Sequence, residues 1–84
     1  MTNEPPDPFE VVANALGAPK TSVDIESAMG THPYWDSLNQ VRVVASLEQT
    51  YGITIADDEI MKYSNMRNIL VLYAGLSSDP QSDQ

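Results

Sequence analysis

Apolar residues recur at helical spacing in three stretches of the chain, and segments that contain glycine and proline separate these stretches. The first stretch predicts a helix that begins at Asp7 or Pro8, because Asp is a good N-cap and Pro suits the first helical position. Gly17 and Pro19 would end this helix. Its apolar positions are Phe9, Val12, Ala13 and Leu16.

The second stretch predicts a helix from about Ser37 to Tyr51. Asp36 or Ser37 would cap its start, and Gly52 would end it. At about 100° per residue, one face carries Val43, Val44, Leu47 and Tyr51, and an apolar strip beside it carries Leu38, Val41 and Ala45. This apolar surface is wider than one packing face needs. The helix therefore either contacts several neighbours or presents the excess to a partner, and both interpretations stay open.

Two further helices are predicted downstream. A short one is capped by Asp57 or Asp58. A longer one follows, which Ser64 or Asn65 caps and Gly75 ends. The connection after the first helix is long and contains apolar residues, so we expect it to be a packed loop. These elements predict an all-α fold: a small four-helix bundle with three main helices, a short third helix and a long loop after the first helix.

Composition changes this picture in two ways. A length of 84 residues allows one domain, and we expect the helical domain at residues 8–76, between disordered tails at residues 1–7 and 77–84. Four Lys and Arg against twelve Asp and Glu give a formal net charge of −8 at pH 7. This charge argues against nucleic acid and against an anionic membrane surface as partners, and it favours basic protein partners.

Several classes of function lack the residues they need. His32 is the single histidine and no cysteine is present, so no catalytic pair or metal-ligand set is evident and we do not expect an enzyme. The acidic run 57–59 is better explained by helix capping than by Ca²⁺ binding, because it lacks the ligand spacing of an EF-hand. No signal peptide or long apolar run is visible, so we expect a cytoplasmic protein. We also expect the protein to be a monomer.

The tripeptide Asp36–Ser37–Leu38 at the head of the second helix is the remaining candidate for chemistry. A helix N-terminus favours a negative group, and Ser37 could carry a covalently attached phosphate there. Plain N-capping explains the tripeptide better, because both Ser and Asp cap helices and a three-residue motif occurs easily by chance. From the tripeptide alone, N-capping is therefore the favoured interpretation, and only the wider context can change it.

The wider context of the tripeptide contains further motifs in a definite order. They are Leu47–Glu48, Tyr51, Ile53–Ile55, the acidic segment Asp57–Ile60 and the final segment Ser64–Leu70. This order resembles that of the acyl carrier protein family, in which a D-S-L motif opens the second helix and the helix ends in a Leu-Glu pair and an aromatic residue before an I-x-I-like link. The resemblance covers roughly residues 8 to 76.

This resemblance implies that Ser37 carries 4′-phosphopantetheine, which a phosphopantetheinyl transferase takes from coenzyme A. The thiol of the arm would hold acyl intermediates as thioesters. It would deliver them to loading and processing enzymes such as ligases, acyltransferases or ketosynthases, and the carrier itself would not be an enzyme. By position, the partner-binding residues would be Asp36, Leu38, Val41, Arg42, Ala45 and Glu48.

Two departures refine the resemblance. Arg42 stands where many carriers of fatty-acid synthesis are acidic, and Tyr34–Trp35 stands where glycine is common. The W-D-S-L form resembles discrete carriers of specialised or polyketide-type pathways. Two alternatives stay open: an aminoacyl or peptidyl carrier, and a non-catalytic helical module that binds a partner helix through its exposed apolar strip.

Overall fold

The structure is a computed structural model that describes residues 5–77. It contains helix α1 (Pro8–Leu16), a 3₁₀ turn η1 (Lys20–Ser22), helix α2 (Ser37–Tyr51), a 3₁₀ helix η2 (Asp57–Tyr63) and helix α3 (Met66–Ser77). The described residues form no strand, and the prediction of an all-α bundle with a long loop after its first helix is confirmed. The outer parts of the predicted tails, residues 1–4 and 78–84, lie outside the described residues.

The capping residues that the sequence predicts account for both ends of α1 and for the end of α2. The Asp7 carboxylate accepts a hydrogen bond from the backbone N–H of Phe9 at 2.9 Å, and Gly17 ends α1 with φ 69°. Gly52 ends α2 with φ 67°, and its N–H donates to the carbonyl of Glu48 at 2.9 Å. Glycine adopts this left-handed conformation without the steric penalty that a side chain brings.

The third element differs from its prediction. Residues 57–63 form a 3₁₀ helix whose N-cap is Ala56, and no side chain in the described part of the chain caps it. The prediction that Asp57 or Asp58 caps this element is therefore wrong. These acidic side chains lie exposed in its first turn, where negative charge complements the positive helix end.

Helix α3 begins as predicted and ends later. The side-chain oxygen of Asn65 accepts a hydrogen bond from the N–H of Asn68 at 2.8 Å, as an N-cap does. The helix continues through Gly75 to Ser77, so the prediction that Gly75 ends it is wrong. Gly75 does not have a positive φ, and a glycine inside a helix costs only about 1 kcal/mol relative to alanine.

The long loop between α1 and α2 packs against the bundle, as expected. Val23 and His32 are buried within it. The N–H of Tyr34 donates to Nδ1 of His32 at 3.0 Å, and Nε2 of the same ring lies 3.0 Å from the Ser22 hydroxyl. His32 is thus a structural residue of the loop. The loop also contains η1, a short turn that the sequence pattern did not predict.

The core lies between the three α-helices and the loop. Its buried apolar residues are Val11, Val12, Ala13, Leu16, Val23, Trp35, Val43, Val44, Leu47, Ile55, Met66 and Ile69. Helices α1 and α2 form the largest contact between elements. The predicted face of α2, with Val43, Val44 and Leu47, is the face that packs inward.

Two tyrosines hold the segment before α1. The Tyr51 hydroxyl, at the end of α2, donates to the carbonyl of Pro6 at 2.6 Å, and the Tyr73 hydroxyl of α3 donates to the carbonyl of Pro5 at 3.2 Å. The two rings meet nearly edge to face, with centroids 6.0 Å apart. Burial raises the pKa of Tyr51 to about 12, and the nearby Tyr73 and Asp7 add to the shift.

Candidate functional site

Ser37 is the first residue of α2, and its side chain is exposed. Its hydroxyl makes no hydrogen bond to any of residues 5–77. The preceding residue, Asp36, is extended, and its carboxylate accepts a hydrogen bond from the N–H of Asn39 at 2.9 Å. Because Asp36 takes the capping role, the Ser37 hydroxyl is left free for other chemistry.

A buried link lies directly beneath this turn. The indole N–H of Trp35 donates to the side-chain oxygen of Gln40 at 2.7 Å, and the side-chain NH₂ of Gln40 donates to the carbonyl of Ile60 at 2.7 Å. The Trp35 and Gln40 side chains are each only 1% exposed. The link therefore joins the turn before Ser37 to η2 across the inside of the bundle.

The sequence analysis missed Gln40, although a signal for it exists. Gln40 precedes Val43, Val44 and Leu47 at helical spacing, so it falls on the buried face of α2. A glutamine on an otherwise apolar face needs buried hydrogen-bond partners. The indole of Trp35 supplies one such partner.

An exposed apolar strip runs along α2 from the residue after Ser37. Leu38 is 69% exposed and Val41 is 59% exposed, and Ala45 is also exposed one turn further along. Met61 adds a 54% exposed apolar side chain on the neighbouring η2, and it was not among the predicted partner residues. Large apolar side chains exposed together are typical of contact surfaces.

The two charged residues further along α2 differ in their surroundings. Arg42 is exposed and forms no ion pair within the described part of the chain. Glu48 is half-buried, and its carboxylate accepts a hydrogen bond from the N–H of Ile55 at 2.8 Å. Glu48 therefore holds the link between α2 and η2, at a point about 16 Å along the helix from Ser37.

One comparison with known proteins bears on this site. A family model, PP-binding, described as a phosphopantetheine attachment site, matches residues 35–70. This match supports a carrier protein of the acyl carrier family. The matched segment of the carrier contains α2, η2 and the beginning of α3. The predicted family and the predicted cofactor, 4′-phosphopantetheine, are both confirmed.

The site also fits the cofactor chemically. A phosphodiester to a serine requires a free hydroxyl, and a helix N-terminus with unused N–H groups favours the negative charge of such a group. When bound, phosphopantetheine supplies a thiol at the end of a flexible arm. The chain has no cysteine of its own, so the cofactor brings a reactive group that the carrier lacks.

Within residues 5–77, no group of three His, Asp or Glu side chains is arranged to hold a metal ion. No helix in this part of the chain is long and apolar enough to cross a membrane.

Proposed function

We propose that Ser37 is the residue that receives phosphopantetheine. The matched segment contains three serines. Ser46 is half-buried within α2, and the half-buried Ser64 donates its hydroxyl to the carbonyl of Met61 at 2.8 Å. Ser37 alone of the three is exposed and starts a helix. This contrast is the observation that carries the proposal.

The transfer reaction follows from this placement. The Ser37 oxygen forms a bond to the phosphorus that bears the pantetheine arm in coenzyme A. The bond from that phosphorus to the bridging oxygen breaks, the adenosine bisphosphate leaves with the electron pair, and a base on the transferase takes the hydroxyl proton. Asp36 shapes the turn for this step through its cap and gives the transferase a negative contact beside Ser37.

The carrier domain spans residues 8–76 and holds acyl intermediates as thioesters on this arm. It is a cytoplasmic monomer without an active site of its own, and it presents its cargo to the transferase and to ligases, acyltransferases or ketosynthases. Asp36, Leu38, Val41, Arg42 and Ala45 form the partner surface. The exposure of these five side chains supports this proposal, and Glu48 contributes by fixing the end of α2.

Arg42 supports a specialised pathway of the fatty-acid-like or polyketide type. It places a cation, which has no ion pair among residues 5–77, beside the apolar contacts of α2. A partner with an acidic residue opposite Arg42 would be favoured, and a partner with a basic residue there would be disfavoured. Aminoacyl or peptidyl loading is the second candidate, because the same exposed strip would serve either class of partner.

Intact mass measurement tests the attachment residue. The protein is incubated with coenzyme A and a broad-specificity phosphopantetheinyl transferase. Wild type should gain the mass of one phosphopantetheinyl group, Ser37→Ala should gain none, and the matched control Ser64→Ala should gain one. Modification of folded Ser37→Ala, or no modification of wild type, would overturn the proposal. Loading assays on the modified protein with acyl-transferring and amino-acid-adenylating enzymes then distinguish the two classes of cargo.

Capture of a partner separates these carriers from a cofactor-free interaction module. Equal binding of a partner helix by unmodified wild type and Ser37→Ala, without any modification in the transferase assay, would favour the module. Dependence of partner binding on the arm would favour the carrier.

A further inference from the structure

We propose that Gln40, oriented by Trp35, is a positioning residue for the modification of Ser37. It fixes η2 against the start of α2, so that the transferase meets the two elements as one surface. This inference rests on the proposed role of Ser37.

Apart from Gln40, few contacts of η2 itself hold it on the α2 side, because the bond from the N–H of Ile55 to Glu48 lies before its first residue. None of its seven residues is fully buried, and no side chain of residues 5–77 caps its start. Ile60 and Tyr63 pack only partly against the core. On the α3 side, the side-chain NH₂ of Asn68 donates to the carbonyl of Lys62 at 2.7 Å. On the α2 side, the corresponding tie is the bond from Gln40 to Ile60.

Because the Gln40 amide is buried, its hydrogen bond to the Ile60 carbonyl restricts where η2 can lie. An apolar residue at position 40 would fill the space but would accept many small shifts of η2. A glutamine that is 1% exposed loses its hydration, so it is stable only where both of its polar ends find partners. The Trp35 indole orients the amide, and the amide then selects one position of the Ile60 carbonyl.

On each element, the residue next to the Gln40–Ile60 hydrogen bond has an exposed side chain. Val41 follows Gln40 on α2, and Met61 follows Ile60 on η2, and both are more than half exposed. Trp35 lies two residues before Ser37. A single buried link thus sets the position of the exposed apolar side chains on both elements relative to the hydroxyl that reacts. Loss of the link should weaken recognition while the chemistry at Ser37 stays intact.

Two variants separate the parts of the link. Trp35→Phe removes the indole N–H and keeps an aromatic ring in the core. Gln40→Met keeps the shape of the side chain and removes both bonds. The matched control is Val12→Ala, a fully buried change in α1, which makes no contact with η2.

The experiment measures transferase kinetics with the full carrier as the varied substrate, together with hydrogen exchange of the η2 amides. We expect KM to rise about tenfold in Gln40→Met, as for the loss of one to two hydrogen bonds, with kcat within about twofold. Trp35→Phe should raise KM less. Exchange of the η2 amides should accelerate in both variants and stay at the wild-type rate in Val12→Ala.

Two outcomes would decide against the link. An unchanged KM in folded Gln40→Met would overturn it, and so would an equal rise of KM in Val12→Ala, because the effect would then report stability alone. If Gln40→Met fails to fold, Trp35→Phe decides by the same criteria. If wild type is not modified at all, the proposed role of Ser37 fails separately. The η2 amides still test the link in that case, and exchange at the wild-type rate in these variants would refute it.

Discussion

The cap of α2 allows the structural role of Asp36 to be separated from its charge. Replacement by alanine removes both the acceptor and the charge, whereas replacement by asparagine removes only the charge. The bond at stake runs from the Asp36 carboxylate to the N–H of Asn39 at 2.9 Å. Asparagine caps helices about as well as aspartate, so the two variants should differ.

The expected magnitude follows from this single bond. Loss of an N-cap costs about 1 kcal/mol, and a change of that size shifts Tm by about 4–8 °C in a domain of this length. Asp36→Ala should therefore lower Tm by that amount. Asp36→Asn should change Tm by less than about 3 °C, because the exposed charge adds only a few tenths of a kcal/mol through the helix dipole.

Thermal unfolding at low ionic strength and transferase kinetics on the same samples provide the two readouts. If the charge itself contacts the transferase, both variants should raise KM by a similar factor despite their different stability. A larger KM in Asp36→Ala than in Asp36→Asn would assign the effect to the shape of the turn. An equal loss of Tm in the two variants would refute the reasoning. The stabilisation would then come from the charge of Asp36, which both variants lose, and not from its hydrogen-bond acceptor, which asparagine keeps.

Three further predictions concern residues away from Ser37. Glu48→Ala should lower the free energy of unfolding by roughly 2 kcal/mol, because the N–H of Ile55 loses its charged acceptor; Glu48→Gln, which keeps an acceptor, should lose less in the same urea titration. Tyr51 has a pKa raised to about 12, so its neutral form is favoured in the folded state. Its contribution to the free energy of unfolding is complete below pH 10 and is lost as pH rises towards 12. Over that interval Tyr51→Phe should lose less stability than wild type, and parallel curves of unfolding free energy against pH would contradict this. Gly75→Ala should raise the free energy of unfolding by up to about 1 kcal/mol, because Gly75 lies within α3 with open space around its Cβ position.

Local sequence signals explain why the first and last residues of α2 could be predicted correctly. Its cap at Asp36 and its stop at Gly52 act within one helical turn, so both signals are contained in the neighbouring sequence. The exposed strip of Leu38, Val41 and Ala45 follows from the same periodicity. The end of α3 was missed because Gly75 has no positive φ, and glycine identity alone does not show the backbone conformation.

Contacts between distant residues set the limit of the prediction. The bond from Gln40 to the Ile60 carbonyl spans twenty residues of sequence, and nothing local to either residue reports it. The same holds for the partial burial of Glu48, whose carboxylate accepts a hydrogen bond from the N–H of Ile55. Its predicted role as a partner contact stays a prediction. The proposed attachment residue, Ser37, could be predicted from the sequence because the D-S-L motif and the start of α2 coincide.

The tyrosine pair that holds Pro5 and Pro6 has a practical consequence for how this carrier can be handled. Tyr51 ends α2, about 21 Å along the helix axis from Ser37, so the chain enters the bundle at the end remote from this proposed attachment residue. A surface or a tag attached to the chain ahead of Pro5 would lie on the side of the bundle that is away from Ser37. Immobilised in that orientation, the carrier would offer Ser37 and its apolar strip to enzymes in solution.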